Sequence, residues 1–235
     1  MLIYGIGNKT GAQPNPTNLE ISSTMSQNPE YYRRHLPHWQ PKGAVFFVTF
    51  RLKGSLPVEV IKSLREQREQ EKRDLLRLPP HQRHQQDKLD ERNSFWRWDT
   101  LLDNAGFGPG WLGQAEIAEI VKEAFRYRAG RDFELFAYSI MPNHVHAVVE
   151  PLESEYHSDL PPLSKIMQSF KRHTARQANL LLGRQGAFWQ DESYDRVIRN
   201  EAEFQRVVYY VLENPVKAGL VPDWEAWPWS YLKTA

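Results

Sequence analysis

Hydrophobic and polar positions along this chain follow two rhythms, and the changes between them mark out its elements. The run AVFFVTFRL, about Ala44–Leu52, is β-branched and aromatic almost throughout, which predicts a first strand covered on both faces. After Pro57 the sequence VEVIKSLREQREQEKRDLLRL predicts a helix studded with i,i+4 charge pairs. Pro79-Pro80 must interrupt it, and helical character resumes to about Asp103. This charged helical hairpin, residues 57–104, is expected to be solvated and to dock through Phe95, Trp96, Trp98, Leu101 and Leu102. The Gly/Pro loop AGFGPGWLG leads into an amphipathic helix with Ile117, Ile120, Val121, Ala124 and Phe125 on its inner face. A β-hairpin follows, Asp132–Ile140 and His144–Glu150, turning at Pro142-Asn143. Beyond a linker over Pro151–Pro161 comes a second amphipathic helix, entered at Pro162 and stopped by Gly183. Its apolar stripe is Ile166, Met167, Phe170, Ala178 and Leu181. A fourth strand is expected over Ser193–Arg199, then a helix ending at Asn214-Pro215, then a Trp-rich tail packed over a sheet edge. Strand, helix, strand, strand, helix, strand is the plan of a ferredoxin-like α+β fold, an antiparallel sheet backed by two helices.

Composition narrows the class. A chain of 235 residues suits one domain with an insertion, here residues 31–235 behind a polar tail over 1–30. With 40% hydrophobic and 25% charged residues it can build a core and remain soluble. No apolar run approaches the ~20 residues that span a bilayer, and the amino terminus lacks the pattern of an export signal. Cysteine is absent, which excludes disulfides, thiol chemistry and Cys-based metal sites. A reducing cytoplasm is the expected setting. The net charge of +1 announces no polyanion binder, but Lys165–Arg176 is basic with no acid inside it. Lys165, Lys171, Arg172 and Arg176 are therefore candidates to follow a phosphate backbone, against the plainer alternative of a solvated helix face. The lead-in YYRRHLPHWQ offers aromatic and basic groups that fit nucleic acid, though a segment packed on the domain is the expected reading.

Candidate chemistry sits at the start of the hairpin's second strand. Side chains alternate faces along a strand, so His144 and His146 point the same way and Val145 the other. Two neutral imidazoles side by side can share one divalent metal, provided a third ligand joins them. The helix over Glu201–Asn214 offers two i,i+4 pairs of phenol and oxygen ligand, Tyr210 with Asn214 or Tyr209 with Glu213. Spacing alone does not choose between them. His81 and His84 also share a helix face, but nothing nearby completes a site.

MPNHVHAVVEP, FWQDESYDRVIRNEAEF and VVYYVLENPVKAGLV together resemble successive motifs of the REP-associated tyrosine transposases, members of the single-tyrosine HUH superfamily. HWQPKGAVFFVTFRL and GPGWL are similar as well, so the likeness runs over about Tyr31–Tyr231 and is weak only through the charged hairpin. The resemblance implies a ferredoxin-like fold carrying a C-terminal tyrosine-bearing helix. It implies metal ligation by His144, His146 and Asn214, with Mg²⁺ or Mn²⁺ as the cofactor, and Tyr210 as nucleophile. It implies cleavage and rejoining of single-stranded DNA hairpins at repetitive palindromes through a 5′-phosphotyrosine. Tyr209 then becomes a core or groove residue. Some relatives exchange the tyrosine helix between two chains, which makes a homodimer one expected assembly. A fold that binds DNA or RNA hairpins without cutting, or a phosphodiesterase using water, are the rival readings.

Overall fold

The computed structural model describes residues 31–33, 37–39, 43–103, 108–152, 162–191 and 193–234. The expected tail over 1–30 and most of the expected linker, residues 153–161, lie outside them. The aromatic lead-in forms a two-stranded hairpin, β1 (Tyr31–Arg33) and β2 (Pro37–Trp39). The main chain then runs through β3 (Phe46–Arg51), α1 (Val58–Arg77), α2 (Pro80–Asp103), α3 (Ala115–Arg128), β4 (Phe133–Ile140) and β5 (His144–Pro151). It continues through α4 (Pro162–Leu181), β6 (Tyr194–Val197), α5 (Glu201–Lys217) and β7 (Ser230–Leu232).

The main sheet is five-stranded and antiparallel, in the order β6-β3-β5-β4-β7. Leaving out β7, strands β3, β4, β5 and β6 lie in the order fourth, first, third, second, the ferredoxin-like arrangement expected from the element plan. The Trp-rich tail covers the β4 edge, as expected, and does so by adding β7 as a strand, with Ser230 opposite Ser139 and Leu232 opposite Ala137. Trp227 Nε1 secures this end by donating to the Ile140 carbonyl at 3.0 Å.

Strand parity divides the core in two. Phe46, Val48 and Phe50 of β3 and Val145, Ala147 and Val149 of β5 join α3 and α4 in one apolar layer. In it Phe170 is fully buried against Phe50 and Phe125, with ring centroids 5.6 and 4.6 Å away. Phe47, Ala137 and Val148 face the other way, against Val207, Val208, Tyr210, Val211 and Leu212 of α5. So the sheet is not merely backed by two helices. It carries α3 and α4 on one face and α5 on the other.

Two local expectations are corrected. Leu181 is 58% exposed, because the buried row of α4 runs Leu163, Met167, Phe170, Thr174, Ala178 and then reaches Leu182. Steps of three and four residues carry the stripe to position 182, not 181. Helix α5 does not end at Asn214-Pro215 but runs on to Lys217. A proline removes its own N–H and crowds the carbonyl one turn back, but the ladder resumes beyond it, the Ala218 N–H donating to the Asn214 carbonyl at 3.0 Å. The break at Pro79-Pro80 is as expected: α1 stops at Arg77 and Pro80 opens α2 at the position where a missing N–H costs nothing.

Candidate metal and nucleophile site

The turn that opens β5 builds the first part of the site. The Met141 N–H donates to the His144 carbonyl at 2.9 Å, closing a tight connection over Pro142 and Asn143. Asn143 is buried and uses both ends of its amide. Its Nδ2 donates to the Leu102 carbonyl at 3.0 Å, and its Oδ1 accepts from His144 Nδ1 at 2.6 Å. An amide oxygen cannot donate, so the proton of neutral His144 sits on Nδ1 and its Nε2 presents a lone pair. His146 is held likewise, with Nδ1 2.8 Å from Thr49 Oγ1 on β3. Each imidazole thus has Nδ1 occupied by a neighbour, the arrangement that aims Nε2 at a metal. The two Nε2 atoms are 2.9 Å apart, and both rings are completely buried.

Two carboxylates from the charged helical hairpin reach the same spot. Asp99 Oδ1 lies 3.2 Å from His146 Nε2, and Asp103 Oδ1 lies 3.6 Å from His144 Nε2. Asp99 is only 2% exposed, and neither Oδ1 atom has a hydrogen-bond partner. Ligand atoms of Asp99, His144 and His146 all fall within 4.8 Å of one another. Burial, and next the charge of Asp99, push the Asp103 carboxyl up to about 7, against the opposing pull of His146 and Lys217. Burial, with His146 second, holds His144 well below the ordinary imidazole value, so it is neutral at pH 7. Imidazoles whose Nδ1 atoms are already occupied and carboxyl oxygens without a partner, converging in a buried space, are a donor set that fits a divalent cation of the Mn²⁺ or Mg²⁺ kind.

Helix α5 brings the phenol. Tyr210 is 8% exposed, its ring edge-on to Phe47 at 6.1 Å and 5.7 Å from the His146 ring between centroids. Asn214, one turn on and fully buried, donates from Nδ2 to the Tyr210 hydroxyl at 3.2 Å, while its Oδ1 has no partner. Lys217 Nζ sits 4.4 Å above the Tyr210 ring. Tyr209, by contrast, is 65% exposed, so it is not a core residue. Of the two i,i+4 pairs on this helix, only Tyr210 with Asn214 faces the histidines.

The basic row lies elsewhere. Helix α4 packs on the face of the sheet opposite His144 and His146. Arg172 and Arg176 are exposed, Lys165 is half-buried, and Lys171 Nζ donates to the carbonyls of Gln190 and Asp191 at 2.9 and 3.2 Å.

Sequence reasoning missed Asp99 and Asp103, and missed the roles of Thr49 and Asn143 in orienting the rings. One signal was present. Asp99 and Asp103 stand four apart on a helix, a like-charge spacing that disfavours a solvated face. Elsewhere on the hairpin acids meet bases, as Arg68 does Glu71 and Asp87. The docking of α2 was partly foreseen: Leu102 is buried, and Trp98 lies under the Arg51 guanidinium at 5.5 Å. The side chains of Phe95 and Trp96 fall outside the described residues.

Comparison with known proteins finds similar sequences and a similar structure. Residues 112–214 match the sequence model of the family described as "Transposase IS200 like". A curated REP-associated tyrosine transposase of Escherichia coli is 28% identical over 105 residues, 45% of this chain and 58% of that protein. A putative REP-associated tyrosine transposase of Haemophilus influenzae is 25% identical over 103 residues, 42% of this chain and 58% of that protein. The matched stretch thus spans a little over half the length of either relative. A solved structure, a REP-associated tyrosine transposase bound to a REP hairpin, aligns with a TM-score of 0.42 at 19% identity, over 85% of this chain and 80% of that one. The family matches bear out the resemblance read from the motifs.

Proposed function

We propose that this chain is a metal-dependent transposase that cleaves and rejoins single-stranded DNA at hairpin-forming repetitive palindromes, with Tyr210 as the nucleophile. The observation that carries the reading is one contact set: the Tyr210 hydroxyl bonded to Asn214, with the ring against His146 of the buried histidine pair. The matching family and the names of both curated relatives support the same class.

His144, His146 and Asn214 would hold the cation, the amide through its unpartnered Oδ1. When bound, the cation supplies positive charge to a scissile phosphate. Tyr210 Oη attacks phosphorus, the bond to the 3′ oxygen breaks, and a 5′-phosphotyrosine and a free 3′-OH result. The phenol proton is lost and the departing oxygen gains one, so the step balances without an external reactant. Asn214 Nδ2 holds the phenol oxygen in place, and Lys217 lies over the ring. Lys165, Lys171, Arg172 and Arg176, on the far face of the sheet, would hold flanking phosphates and not the scissile one.

The test incubates end-labelled single-stranded hairpins from the encoding genome with the protein and Mn²⁺, followed by denaturing electrophoresis. A denaturant-resistant adduct is expected with wild type and Tyr209→Phe and is expected to vanish with Tyr210→Phe. Binding without any adduct would favour a non-catalytic hairpin-binding module. Cut product without an adduct would favour a water-using phosphodiesterase.

A further inference from the structure

The charged hairpin formed by α1 and α2 has no part in the reading above, yet its last turn lies in the site. Much of its surface is solvated, with exposed acids and bases pairing along α1, such as Lys72 with Glu69 and Arg77 with Asp74. The final turn of α2 differs. Asp99 and Leu102 are buried, Asp103 is largely so, and the Leu102 carbonyl is tied to the β4–β5 turn by Asn143. Two carboxylates one turn apart, both with an unpartnered buried oxygen, face two imidazoles whose Nδ1 atoms are already occupied. Two carboxylates cannot both hold their charge in this buried space without a cation, and among the described ion pairs each meets only a histidine, never a Lys or Arg. A divalent cation between them answers that charge and the lone pairs together.

We propose that the C-terminal turn of α2 completes the metal site, with Asp99 as the carboxylate ligand beside His146 and Asp103 as a second acid toward His144. Metal loading and docking of the helical hairpin are then one equilibrium: the ion holds the end of α2 on the sheet, and withdrawal of α2 opens the site. This inference rests on the metal-binding reading of the histidine pair and adds to it a charged ligand from the inserted segment. It also gives a way in, because with α2 docked the histidines, Asp99 and Asn214 are closed to solvent.

The full chain is titrated with Mn²⁺, free ion being read by electron paramagnetic resonance, for wild type, Asp99→Asn, Asp103→Asn, His146→Ala and Glu66→Gln. Asp99→Asn is expected to weaken binding by at least about tenfold, with Asp103→Asn weakened less and Glu66→Gln, on the solvated part of α1, binding as wild type. If both aspartate variants bind as wild type while His146→Ala does not, the inference is overturned and the histidine site stands. Should His146→Ala also bind as wild type, the metal reading itself falls and takes the inference with it. Amide exchange on the unaltered chain gives an answer independent of how the variants fold. Mn²⁺ is expected to slow exchange over residues 95–103 by at least about tenfold while leaving residues 62–72 unchanged. No change over 95–103 would overturn the coupling.

Discussion

The two faces of the sheet are made by the same strands and have almost opposite contents. Toward α3 and α4, β3 and β5 present Phe46, Val48, Phe50, Val145, Ala147 and Val149, packed with rings and aliphatic chains. Toward α5 the same strands present Phe47, Thr49, Arg51, His144 and His146, and the end of α2 adds Asp99 and Asp103. The two sets interleave residue by residue, since successive side chains leave a strand on opposite sides. One face is free to be optimised for burial while the other accumulates buried polar groups that a folding core would otherwise reject. Stability and chemistry are separated here by strand parity and not by distance, for His144 and Val145 are adjacent. The comparison fails if a core substitution on the apolar face alters metal binding, or if a polar substitution on the α5 face acts only on stability.

Phe170→Ala should have the largest effect on folding. The ring is fully buried between Phe50 and Phe125, and its loss is expected to cost about 3–5 kcal/mol by urea or thermal unfolding. Mn²⁺ affinity of the fraction that remains folded should not move. A smaller loss is expected of Thr174→Val on the same face. Thr174 Oγ1 accepts from Trp189 Nε1 at 2.8 Å, in a fully buried position. Valine leaves the indole N–H with no acceptor, and a donor stranded in the core costs about 1–3 kcal/mol. Again metal binding should be unchanged, and a weakened Mn²⁺ titration would show that the faces communicate.

The apolar face was legible almost residue by residue, and the polar one only in part. Local periodicity predicted the buried row of α3, the hairpin at Pro142-Asn143 and the shared face of His144 and His146, because each depends on residues near in sequence. Strand order followed from the element plan. The stripe of α4 went wrong only at its last turn, where a one-residue drift exchanges Leu181 for Leu182. Choosing Tyr210 over Tyr209 required knowing which side of α5 meets the sheet, and an i,i+4 spacing served both equally. Asp99 was the hardest. It stands 45 positions before His144, in a segment whose charge pairing reads as solvated surface, and only the docking of α2 turns it inward. Long-range docking of a charged segment leaves almost no periodic trace, so a ligand carried there is invisible until the fold is in hand.

Thr49→Val isolates the polar face with the smallest expected change in folding. It makes the same substitution as Thr174→Val, at a buried threonine that also serves a ring nitrogen, so chain chemistry and burial are matched. The rings differ in one respect. An indole carries its proton on one fixed atom, whereas an imidazole can place it on either nitrogen. Without metal, His146 can tolerate the loss of Thr49 by holding its proton on Nε2, where His144 Nε2 and Asp99 Oδ1 lie within 3.2 Å. The expected loss of stability is therefore about 1 kcal/mol, the net worth of one hydrogen bond. With metal that escape closes, because Nε2 must give up its proton and Nδ1–H is left facing a methyl group. Mn²⁺ affinity should then fall about 10–100-fold, the usual effect of removing a group that orients a metal-bound histidine. Thermal unfolding with and without Mn²⁺ reads both quantities on one protein. A Thr49→Val chain that loses stability as Thr174→Val does, yet binds Mn²⁺ as tightly as wild type, would mean that the α5 face is an ordinary polar core.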